Sequence, residues 1–154
     1  MNIRLLYPFY NILSCIILLF IGWGFTRSTT TVTENSMEYT LHPVAVIAWF
    51  VLVLFIIAMV VLVKKHNKKN PDKKINTFSI KPPEYNEEDE MYQFATMNAT
   101  KKVYTFLTWA LPLILALLLF PIPFSKFSIF AIIVCVIIIQ NLIFFFEMRK
   151  FKEE

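Results

Sequence analysis

Six amide and hydroxyl side chains are the chain's main candidates for polar chemistry: Asn11, Ser14, Thr105, Thr108, Gln140 and Asn141. Each lies inside a long apolar run. Little else in such surroundings can hydrogen-bond, so these groups seek one another across helices. At about 1.5 Å per residue from the basic end of its run, Asn11 falls roughly 6 Å deep and Gln140 roughly 10 Å deep. Groups at matched depth on three helices would bond across a bundle. Two readings stand open: glue between helices, or a polar pocket for a ligand or lipid headgroup.

Other chemistry leaves little trace. No Gly-rich phosphate loop, nucleophile elbow or His-rich metal motif is present. Glu34, Glu38 and His42 would share a face and suit zinc only if their segment were helical, and its Thr-rich composition disfavours that. The acids Glu84, Glu87, Glu88, Asp89 and Glu90 lack the spacing of an EF-hand loop. Pro82-Pro83-Glu84-Tyr85 is similar to ligands of WW domains, and we read it as a turn. Cys15 and Cys135 sit in apolar runs and are expected to stay reduced. The chain is therefore expected to be non-enzymatic, with no catalytic residue, cofactor or metal.

The elements that would position the amides are four runs without Asp, Glu, Lys, Arg or His: residues 7–25, 44–63, 103–120 and 127–146. A helix of about 18 to 20 such residues crosses a hydrocarbon core about 30 Å thick. Apolar residues make up 57% of the chain, too many for one soluble core of this size. The expected fold is all-α: one polytopic membrane domain, residues 1–154, with four transmembrane helices. Arg4 before the first run has the outline of a secretory signal. The run is long for one, and Gly22-Trp23-Gly24-Phe25 offers no small-x-small cleavage site.

Thirteen of the fifteen Lys and Arg residues lie on one side of these runs; only Arg27 and Lys126 lie on the other. Positive residues in short loops stay cytoplasmic. Both termini and the loop 64–102 are thus expected inside, with Thr26–His42 and Pro121–Lys126 outside. The net charge of +4 then reports topology and contact with the lipid bilayer, not nucleic acid.

Between the runs, Thr26–His42 reads as an exposed loop with a short turn near Asn35, and Pro43 suits the first turn of the second helix. Asn70-Pro71-Asp72 signals a turn. Asn86 would cap a helix whose acidic first turn complements the dipole. That helix would either run into the third span or lie on the membrane surface and bend near Asn98. Pro112 should kink the third span. The short turn after Phe120 should pair the third and fourth helices antiparallel.

Lys64, Lys65, Lys68 and Lys69, with Glu87, Glu88, Asp89 and Glu90, form a bipolar loop that would contact a protein partner or lipid. The expected role is an accessory subunit, immunity or regulatory factor that acts through a protein partner or as a homo-oligomer. The alternative is a small transporter or oligomeric pore component. Intramembrane charges and paired Gly/Pro breaks, the usual marks of coupled transport, are missing from the runs.

The stretch Glu87-Glu88-Asp89-Glu90-Met91, continuing to Ala95 and Lys102, resembles small uncharacterised four-span membrane proteins of Gram-positive bacteria. In those proteins an acidic stretch after a basic loop precedes the third span. Members often carry Arg after the acids, where this chain has Met91. The resemblance implies a multi-pass protein of the bacterial cell (inner) membrane and brings no catalytic residue.

Overall fold

A computed structural model describes residues 3–33, 36–71, 90–119 and 123–150. Four helices account for most of them: α1 (Ile3–Thr26), α2 (Pro43–Lys69), α3 (Glu90–Leu119) and α4 (Lys126–Lys150). All four are long and apolar enough to cross a membrane. Each outruns its uncharged stretch. α2 continues past Val63 to Lys69, about 9 Å at 1.5 Å per residue, and α3 begins about 20 Å before Val103. Of the two courses open to the segment before the third span, the structure takes the continuous one, unbroken at Asn98. α3 also runs through Pro112. The helix start expected at Asn86, together with Glu87, Glu88 and Asp89, lies outside the described residues.

The helices form an open row in the order α2, α1, α4, α3, with each helix antiparallel to the neighbour it packs on. Contacts fix the register. Ile17 and Ile21 of α1 pack on Ala48 of α2, and Tyr10 meets Phe55 at 5.8 Å between ring centroids. Ala95 and Ala99 of α3 pack on Met148 of α4. Ala45, Ala95 and Ala99 are the most completely buried of the core side chains, and all three are small. Close van der Waals approach through small residues is how helices pack where hiding apolar surface brings no gain, as it would in lipid.

The chain's two glycines serve the same end. A Cβ at Gly22 would overlap the ring of Phe130 on α4. One at Gly24 would lie 2.6 Å from the backbone nitrogen of Ala45 on α2. α1 thus meets both neighbours through glycine, a packing role that the absence of a GxxxG pair conceals.

The described residues between α1 and α2 include two paired strands, which add β structure to a fold expected to be wholly helical. Strand β1 (Thr29–Thr33) pairs antiparallel with β2 (Ser36–Thr40), in the register Thr31↔Glu38 and Val32↔Met37. Its Thr and Val residues fit a pleated strand, and cross-strand pairs add to the ladder. The turn position Asn35 lies outside the described residues. Glu38 is on a strand, so it shares no helical face with His42. Below the hairpin, the Ser28 hydroxyl donates to the Gly24 carbonyl at 3.1 Å and accepts the His42 N–H at 3.0 Å. His42 caps α2: its Nδ1 accepts the Val44 N–H at 3.3 Å, with Pro43 in the first turn as expected. Its ring stands edge-on to Trp23, over which the Arg27 guanidinium lies at 5.4 Å.

Candidate functional site

The polar residues divide between two places at the charged end of the row, the end that holds Lys64–Lys69 and Arg149. The first is the α1–α4 seam. Asn11 Nδ2 donates to Asn141 Oδ1 at 3.2 Å, and Asn141 Nδ2 donates to the Ile137 carbonyl one turn back at 2.8 Å. Asn141 is thus held by its own helix while it receives its neighbour. Ser14 and Gln140 are half-buried at the same level and bond no other side chain among the described residues.

Thr105 and Thr108 do not join this layer. α3 is separated from α1 by α4, and both threonines face outward. Each hydroxyl donates back to its own helix, Thr105 to the Lys101 carbonyl and Thr108 to the Tyr104 carbonyl, both at 2.9 Å. The six-residue layer across three helices is therefore one interhelical amide pair across two.

The second place is the α3–α4 joint. Thr96, buried, donates from Oγ1 to the Met148 sulfur at 3.8 Å beside Ala95 and Ala99. Above it Lys102 Nζ meets Glu147 Oε2 at 2.6 Å, and Lys150 Nζ meets Glu147 Oε1 at 2.7 Å. The Glu147 side chain is 13% exposed between the two lysines. Glu147 follows directly on the uncharged run 127–146 and is not among the residues singled out from the sequence. Its i,i+3 spacing to Lys150 was the available signal.

Along α3 beside this joint lies an open groove of about 680 Å³. Among the described residues its walls include Thr96, Met97, Thr100, Lys101, Tyr104 and Thr105. Their spacing of three and four residues puts them on one helical face. Lys101 Nζ faces no carboxylate among the described residues, whereas its neighbour Lys102 is paired. Further out on α3, Met91 and Phe94 are each more than half exposed.

The bipolar loop is described only in part. Lys64, Lys65, Lys68 and Lys69 are exposed on the helical extension of α2, where Asn70 caps the end by donating to the His66 carbonyl at 2.9 Å. Glu90 is exposed in the first turn of α3. No group of three His, Cys, Asp or Glu residues that could hold a metal occurs among the described residues.

Comparison with family models, with curated proteins and with solved structures finds no match for this chain.

Proposed function

We propose that this is a multi-pass membrane protein, with both termini and the charged end of the row in the cytoplasm. Within that class we propose a non-enzymatic accessory or regulatory subunit of a bacterial cell membrane, docking a protein partner on the projecting part of α3. The carrying observation is the projecting part of α3, which starts at Glu90, about 20 Å outside the apolar run that begins at Val103. The polar headgroup layer is only about 5 to 8 Å deep on each side. A helix that reaches well beyond it, braced against α4 through Ala95 and Ala99, suits a protein surface rather than lipid. The exposed lysines of α2 and the acidic start of α3 add opposite charges that would set the partner's orientation.

The pore alternative has less support. A lining needs polar groups facing an opening, and Asn11 and Asn141 are spent on each other.

Two measurements test the proposal. Cysteine placed at Val32 should react with an impermeant maleimide in intact cells, and cysteine at Lys69 only after permeabilisation; the reverse pattern removes the orientation. A photoreactive residue at Met91 or Phe94 should then cross-link a second protein in native membranes. An adduct of doubled mass would identify a second copy of the chain. A lone, monodisperse chain without adducts would rule out the partner.

A further inference from the structure

We infer that the groove on α3 is a binding site for one phospholipid with an anionic headgroup. The inference rests on the membrane placement of the helices and not on the protein partner, so the two fail separately.

The groove straddles the boundary between the charged and uncharged parts of α3. Lys101 lies two residues before Val103, within the level of lipid phosphates. Among the described residues its ammonium faces no carboxylate, whereas Lys102 faces Glu147. A phosphodiester supplies the missing negative charge. Thr100 and Tyr104 bring hydroxyls to the same wall, able to donate to phosphate or glycerol-ester oxygens. The Thr105 hydroxyl already donates to the Lys101 carbonyl, which leaves its oxygen as an acceptor.

Below the polar part, the same face continues toward the membrane centre. Tyr104, Thr108, Leu111 and Leu115 follow one another at spacings of four and three, and all four are exposed. An acyl chain laid along them meets apolar surface, and the one hydroxyl on its course, Thr108, is turned back onto the Tyr104 carbonyl. A cation at headgroup depth above an apolar track matches a lipid end to end. A free phosphate would use only the upper part, and a peptide would leave the membrane-level track uncovered.

The test uses the full chain in detergent, supplied with equal amounts of phosphatidylglycerol and phosphatidylcholine, with retained lipid measured by native mass spectrometry. The wild type should prefer phosphatidylglycerol. Lys101→Gln should reduce that preference about fivefold, the size expected of one lysine near an anionic surface. Lys69→Gln should leave it unchanged. Tyr104→Ala should weaken retention of both lipids, because it removes a wall and not a charge. An unaltered preference in Lys101→Gln, or an equal fall in Lys69→Gln, overturns the site. Displacement of the lipid by inorganic phosphate alone would overturn the lipid assignment.

Discussion

Lys102 and Glu147 meet at 2.6 Å where α3 enters its apolar run and α4 leaves its own. The contact sets these two helices level with each other. It also separates the two neighbouring lysines: Lys102 is engaged, while Lys101 lines the groove and faces no carboxylate among the described residues.

Glu147→Gln should therefore loosen the α3–α4 joint without unfolding the row. Lys102 and Lys150 keep 55% and 66% of their side chains exposed, so solvent screens both pairs. The expected loss is about 1 kcal/mol at low ionic strength, shrinking as salt is added. Thermal melting of the detergent-solubilised protein at two salt concentrations reads it. An unchanged melting temperature at low salt would show that the bridge contributes nothing.

The amide pair makes a sharper case, since a double-mutant cycle isolates it. Asn11→Leu and Asn141→Leu should each destabilise, and together they should cost less than their sum. Interhelical hydrogen bonds in membranes couple by about 0.6 kcal/mol, rarely above about 1.7. Gln140→Leu should show no coupling to Asn11. Unfolding in mixed micelles supplies the values. Coupling between Asn11 and Gln140 as large as that between Asn11 and Asn141 would contradict the geometry.

The glycines should differ in what an added methyl costs. At Gly24 it meets the Ala45 backbone, which cannot step aside without moving α2. At Gly22 it meets the Phe130 ring, a side chain that can turn. Overpacking costs about 1–3 kcal/mol, and Gly24→Ala should fall at or above the top of that range with Gly22→Ala below it. Pairing Gly22→Ala with Phe130→Leu should restore most of the loss, whereas no single side-chain change relieves Gly24→Ala. Equal melting temperatures for the two glycine variants would count against this packing.

The spans were legible because their signal is one-dimensional: about twenty uncharged residues need no partner to become a helix in lipid. The lateral order was not. The runs on α2 and α4 are apolar on every side and give no stripe that points at a neighbour. Small residues carry that information instead, and Gly24 against Ala45 is invisible until both helices are placed. Thr105 and Thr108 misled for a related reason. Depth is readable from sequence, but a helical threonine can satisfy its hydroxyl on its own backbone, and facing direction depends on the order of the row. The Thr-rich segment correctly spoke against a helix. Its pairing into a hairpin depends on which residues stand opposite one another, such as Val32 and Met37.

The row's order also bears on how the protein is made. Of these four helices, α1 leaves the ribosome before the others, and it sits between α2 and α4. α1 and α2 can close on each other early through Gly24 and Ala45, yet the other flank of α1 waits for a segment more than a hundred residues later. α3 is synthesised before α4, the helix it packs on, exists. Assembly thus closes with one long-range step in which α4 docks on α1 and α3 together. That step carries the largest single loop-closure cost of the fold, and it should set the pace of maturation.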